Sequence, residues 1–221
     1  MKRLTGWMIS FCFFCCGCTQ NVYDQESRFH NDGRAKPMIT LIPVFDMSEA
    51  KTGWSLSEEF TDHLRQRLLK TNRFYLNTPE EINPIITQLT PENNPFSTHP
   101  DWIDETFAER EFVVFTEIVE HDIHPKQVAN RFFDKLTPSS ELTLTMRIRV
   151  FDLRKSQRRV ILEELISHNY LVSNPKGLPE KSPDYWQKIS FTVSPLGMAH
   201  AQLAKEVTKR VEDYILLAQS R

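Results

Sequence analysis

Four thiols crowd the start of the chain, Cys12, Cys15, Cys16 and Cys18, and they are all the cysteines it has. Thiols can act as nucleophiles, form disulfides or bind soft metals. A second group with chemical potential is Glu117, Glu120, His121 and His124. Carboxylates and imidazoles are metal ligands and hydrolytic acids or bases. His121 and His124 are three apart, a spacing that shares a face only on a helix. Their stretch instead leaves an apolar strand and runs into Pro125, so a solvated strand end is expected. Ser57, Asp62 and His63 supply the residue types of a triad, but no G-x-S-x-G elbow surrounds a serine. The chain has six glycines and neither a P-loop nor a G-x-G-x-x-G pattern. The expectation is no catalytic residue, no metal and no cofactor.

The cysteines lie in a segment that explains them. Lys2 and Arg3 open the chain, and an apolar run of eleven residues follows at 4–14. That is the length of a secretory h-region, well short of the roughly 20 residues a spanning helix needs. Cys15-Cys16-Gly17-Cys18 comes next, and here the sequence resembles the lipobox of bacterial lipoproteins. The resemblance implies cleavage between Gly17 and Cys18 and diacylglycerol on the Cys18 thiol, with further acylation, palmitate included, at the new amino group. The usual lipobox leucine is replaced by Cys15, and Cys16 is a competing acceptor. Gly17 before Cys18 and the polar Thr19-Gln20-Asn21 after it favour Cys18. Several acyl chains hold a protein firmly where one holds it marginally. In lipoproteins of double-membrane bacteria, Thr rather than Asp after the lipidated cysteine leans toward the outer membrane, facing the periplasm.

Removal of residues 1–17 would leave a body free of unmodified cysteine, with 25 basic against 29 acidic side chains and a formal charge of −4. A mildly acidic body lacks the basic footprint of a general nucleic-acid binder. Residues 18–36 read as the lipidated cysteine and a polar tether, whose 18 residues after Cys18 would reach roughly 20–25 Å as a coil. Residues 37–221 suffice for one domain with its own core.

Within that domain, 38–45 is a short apolar run of strand type. Ser55 and Glu58 fit a capping box, and Leu56, Phe60, Leu64 and Leu68 follow as one stripe of a helix that stops at Asn72. A short strand is expected at 73–76 and a helix from Pro79 to about residue 89. Asp101 opens a short helix, 112–119 is a central strand, and 121–138 is irregular, with Phe132 and Phe133 inside it. Leu142, Leu144, Met146, Ile148 and Val150 alternate with Thr143, Thr145, Arg147 and Arg149, the pattern of a half-buried antiparallel strand. Residues 159–172 return as its partner, with a bulge expected near Glu163-Glu164. A loop fills 174–183. Ser194-Pro195 starts a long final helix striped by Leu196, Ala199, Leu203, Val207, Val211, Tyr214 and Ala218. The expected class is α+β: a mixed or antiparallel sheet of about five strands, packed by helices on one face.

This order resembles a group of bacterial envelope proteins, carried by Ile42-Pro43-Val44-Phe45, residues 53–64 and Thr71-Asn72-Arg73-Phe74. The group includes the core of the curli secretion lipoprotein CsgG, the penicillin-binding-protein activator LpoB and the N-terminal domain of TolB. That resemblance implies the fold; the lipobox, the tether and the absence of a catalytic motif point to a non-enzymatic, lipid-anchored accessory protein, a regulator or assembly factor, that binds another envelope protein. An oligomeric secretion subunit of the CsgG kind and an envelope hydrolase are the alternatives. Arg147, Arg149 and Asp46 are the candidate contact residues, through the basic face of the hairpin and the loop after the first strand.

Overall fold

A computed structural model describes residues 27–90, 92–125, 139–155, 157–173 and 182–221. Gly17 and Cys18 lie outside these residues, as do the 174–181 part of the expected loop and the segment holding Phe132 and Phe133. The elements are β1 (Met38–Leu41), β2 (Phe45–Asp46), α1 (Leu56–Thr71), β3 (Tyr75–Leu76), α2 (Pro79–Ile86), α3 (Trp102–Thr106), β4 (Phe112–Pro125), β5 (Ser139–Asp152), β6 (Arg159–Ser173), α4 (Ile189–Thr192) and α5 (Pro195–Gln219). They form a mixed six-stranded sheet ordered β3-β1-β4-β5-β6, with β2 also beside β4. β1, β2 and β3 join through parallel pairs, and β4, β5 and β6 through antiparallel ones.

Local chemistry sets the boundaries. Proline has no N–H for a ladder, so Pro43 splits the 38–45 run into β1 and β2. At α1, the Glu58 N–H donates to Ser55 Oγ at 3.2 Å, and Asn72 closes the helix in the left-handed conformation, φ 54°. Thr78 and Glu81 cap α2 reciprocally. Pro84 then removes an N–H inside that helix, which ends at Ile86, short of the expected residue 89.

The apolar side chains of β5 (Leu142, Leu144, Met146, Ile148, Val150) are fully buried on one face of the sheet. α1 and α5 cover that face, and all belong to one core cluster. Each such side chain contributes about 1.5–3 kcal/mol by leaving water. On α5 the 3.6-residue period places Ile215, not Tyr214, after Val211: Ile215 is buried and Tyr214 is 37 % exposed. On the opposite face, Ile82 of α2 and Ile103 of α3 join Val113, Phe115 and Phe151 in a second, smaller cluster. The two long helices thus share one face, and two short ones close part of the other.

Three boundaries differ from expectation. β4 continues to Pro125, because β5 supplies a partner as far as Ser140. The bulge in the β5–β6 pair falls between Val150 and Phe151, opposite 160–162, rather than at Glu163-Glu164. Residues 27–36 are already structured ahead of Pro37. Phe29 bridges to Ala35 across a turn at Gly33, φ 82°, and the Lys36 ammonium donates to Asn72 Oδ1 at 2.6 Å.

One glycine is fixed by packing. A Cβ on Gly197 would stand 2.1 Å from the Phe191 carbonyl oxygen, where α4 meets α5. Gly→Ala in a helix interior ordinarily stabilises. Gly197→Ala is expected to do the opposite, lowering stability by about 1–3 kcal/mol through overpacking, read as a reduced urea midpoint at unchanged m.

Candidate functional site

β4 carries an irregularity that decides where its polar residues go. Ile118 pairs with Met146 and Glu120 with Thr145, so Val119 is an extra residue on β4. A bulge of this kind reverses the facing of everything after it. Strict alternation from Ile118 would send Glu120 and Asp122 into the core. The bulge sends His121 and Ile123 there instead, opposite Leu144 and Leu142.

His121 is 4 % exposed and meets two other buried polar side chains, His200 of α5 and Glu59 of α1, both fully buried. Both occupy positions on the apolar stripes of their helices. His200 falls in phase with Leu203, Val207 and Val211, and Glu59 lies beside Phe60. The His200 Nδ1–H donates to Glu59 Oε1 at 2.7 Å, since a carboxylate only accepts. The indole N–H of Trp54 donates to the other carboxylate oxygen at 2.7 Å. His200 Nε2 stands 3.0 Å from His121 Nε2, and one proton lies between them, held by whichever ring donates. His63 Nε2 approaches Glu59 at 3.6 Å, beyond hydrogen-bond length. Rings pack around the chain, with Phe60 and Phe191 at 5.0 and 5.7 Å from His200.

The electrostatics follow from this order. Burial works against the ionised Glu59, yet the charge on His200 and the His200 and Trp54 donors, with His63 close by, outweigh it and hold the carboxyl down at about 2. Burial, and then the charge on His200, pushes His121 down to about 4; its own backbone carbonyl and the Glu59 and Asp46 carboxylates offset part of this. His121 is therefore neutral at pH 7. It also borders an open cleft of about 290 Å³, with Glu49, Lys51, Thr52 and Asp122 around it. Glu49 on its rim holds φ 56°, the left-handed region that few non-glycine residues adopt.

A carboxylate orienting one imidazole is the arrangement that activates a nucleophile in hydrolases. Among the described residues, the side-chain hydrogen bond of His121 goes to His200 and not to a hydroxyl or thiol. Efficient bases are poised near the working pH, and a group at about 4 is a weak base at pH 7. What the geometry performs is bracing: one polar chain ties α1, α5 and β4 together through the core.

The residues singled out by sequence separate accordingly. His121 is buried in this chain rather than solvated at a strand end. Glu117, Glu120 and His124 stand on the other face. There Glu117 pairs with Arg147 at 3.2 Å and Glu120 accepts from Thr145 at 3.0 Å. No cluster of three metal-ligating side chains occurs among the described residues. Ser57 donates to the Val44 carbonyl, well apart in role from His63. Arg147 stays 41 % exposed, with its guanidinium 5.3 Å over Phe96. Asp46 is exposed and caps Ser48. Arg149 is 8 % exposed: it donates to the Pro95 and Ser97 carbonyls at 2.8 and 2.6 Å and pairs with Glu163, which fastens the 92–97 loop to the sheet.

With the site in view, its relatives can be placed. The profile of the Family of unknown function (DUF7499) matches residues 25–219. The chain belongs to that family. A search of curated proteins finds no match. Among solved structures, the hypothetical protein CT253 from Chlamydia trachomatis is similar at 24 % identity, covering 82 % of this chain and 98 % of that one, with a TM-score of 0.56. That likeness is one of fold. Lipoprotein GNA1162 from Neisseria meningitidis is 12 % identical over 78 % of this chain and 99 % of its own, TM-score 0.42. The LpoB C-terminal domain from Escherichia coli is 13 % identical over 62 % and 83 %, TM-score 0.35. Among the described residues of this DUF7499 chain, no helix is long and apolar enough to cross a membrane.

Proposed function

We propose that the protein is a lipid-anchored accessory factor of a bacterial envelope, held by acyl chains on Cys18, whose α+β domain binds another envelope protein without chemistry of its own. The observation that carries this reading is the Gly17-Cys18 step after a basic start and a short apolar run. The buried chain supports it, since a sealed carboxylate and a His121 neutral at pH 7 suit a brace better than a reaction. The sheet supports it as well. β6 ends the strand order and, among the described residues, leaves one edge unpaired along its 15 residues. Leu165 and Leu171 are 57 % and 60 % exposed on it. Unpaired edges are the places where an extended partner segment adds to a sheet. We place the anchor in the outer membrane, facing the periplasm, because Thr19 follows Cys18.

The test is photo-crosslinking in the native host membrane from a benzophenone side chain at Leu165 or Leu171. One discrete adduct with a second envelope protein, lost in the Cys18→Ser variant, is expected. Adducts only between copies of this chain would favour an oligomeric assembly subunit, and no adduct at either position would contradict a partner on this edge.

A further inference from the structure

A second feature of the helix layer bears on how the domain sits. The last turn of α1 and the middle of α5 enclose a groove of about 450 Å³. Five cations line it, Arg67, Lys70, Arg73, Lys205 and Lys209, against Glu212 and Asp213. Arg73 pairs with Glu212 at 2.9 Å, and Arg67 donates to the Ala201 carbonyl at 2.9 Å. Lys70, Lys205 and Lys209 are exposed. In a chain of formal charge −2, this is a local reversal of sign.

The groove adjoins the place where the chain arrives from its N-terminal segment. The Lys36 N–H donates to the Arg28 carbonyl at 2.9 Å, and the Lys36 ammonium bonds Asn72, which lies between the groove residues Thr71 and Arg73. Arg28 itself is exposed and sits 4.9 Å over the Tyr75 ring. Phe29, in the same hairpin, is 57 % exposed. Eight residues separate Cys18 from Ser27, and whatever their conformation they span at most roughly 30 Å. A lipid on Cys18 therefore holds the groove's end of the domain close to the bilayer surface.

We propose that this groove seats the anionic headgroups of the membrane that carries the anchor, with Phe29 entering the headgroup layer beside it. The proposal rests on the Cys18 reading above. Basic residues next to an anchor are drawn to anionic lipid, and apolar rings settle at the same level. Docking there turns the acidic remainder of the domain away from the bilayer and fixes which surfaces face a partner.

The lipidated protein, purified from host membranes, can be tested as it stands. After cleavage at Cys18 an engineered thiol is the one free cysteine. A fluorophore is placed at Thr71→Cys in the groove, or at Asn169→Cys on the far face of the sheet. Each is reconstituted on phosphatidylcholine vesicles containing headgroup-level spin-labelled lipid, with or without phosphatidylglycerol. Phosphatidylglycerol is expected to raise quenching at position 71 about threefold and to leave position 169 unchanged. Soluble glycerol phosphate on neutral vesicles should not reproduce the effect. The exposed triple change Lys70→Gln, Lys205→Gln and Lys209→Gln should abolish it. Vesicle flotation with equal quenching at both positions, or reproduction by soluble glycerol phosphate, overturns the lipid groove while leaving the anchor intact. Failure to float with either vesicle overturns the anchor and the groove together.

Discussion

Replacing Glu59 by Ala is expected to cost about 3–5 kcal/mol of folding stability, the range for removing one partner from a buried charged pair. The loss is large because two groups depend on that carboxylate. Its two oxygens hold His200 and Trp54, both at 2.7 Å, in a region where Glu59 and His200 are fully buried. Alanine strands an imidazole and an indole N–H without water, and each unsatisfied group costs about 1–3 kcal/mol. Glu59→Gln is a sharper probe. Its carbonyl can keep Trp54, and its amide can donate to His200 Nδ1 if His200 shifts its proton to the other nitrogen. Gln should therefore cost roughly half as much as Ala. Urea denaturation of the two variants checks both. A change within about 1 kcal/mol for Ala would show that the chain is no brace.

Acidification is expected to weaken the fold in two stages. His121 is held down at about 4, against 6.5 for an open imidazole. In the unfolded chain it takes up its proton as pH falls below about 6.5, while in the native state it stays neutral until about 4. The unfolded state binds more protons in that window, so stability falls as pH falls, by on the order of 3 kcal/mol. Stability from this group is complete above 6.5. Glu59 acts lower down. Its folded value of about 2 lies below its ordinary 4.5, so its contribution is present above 4.5 and lost between there and 2. Urea midpoints across pH 4–7 check the first stage. His121→Phe should flatten it selectively, since the other groups facing position 121, namely His200, Glu59 and Asp46, remain. A wild-type profile that is level from pH 7 to 4 would contradict the assignment.

The elements with strong periodicity were legible from the residues. The stripe of α1, the alternation of β5 and the cap at Ser194 each arise from a local pattern, and each lies where that pattern puts it. The parallel pairing of β1 with β4 and β3 was not legible, because strands of two to four residues carry too little period. The buried chain was hidden for a different reason. A one-residue bulge at Val119 reverses the facing of β4, and no single residue type marks it. His121 therefore read as solvated, and His200 lies 79 positions away. A signal existed on the helices: Glu59 and His200 both fall on apolar stripes, where a titratable side chain must find a partner. Arg149 is more buried than its pattern indicates, for a related reason. Alternation correctly put it on the outer face of the hairpin, but the 92–97 loop covers that face.

The central claim is the anchor, because it places the domain at a membrane and brings the basic groove and the β6 edge to their surroundings. The measurement that tests it most directly is the intact mass and N-terminal peptide mass of the protein extracted from host membranes. The account predicts a chain beginning at Cys18 and carrying diacylglycerol, with Gly17 and all before it removed. A chain that retains residues 1–17 with an unmodified Cys18 thiol would contradict it, and a lipidated chain beginning at Cys16 would move the anchor to the competing cysteine.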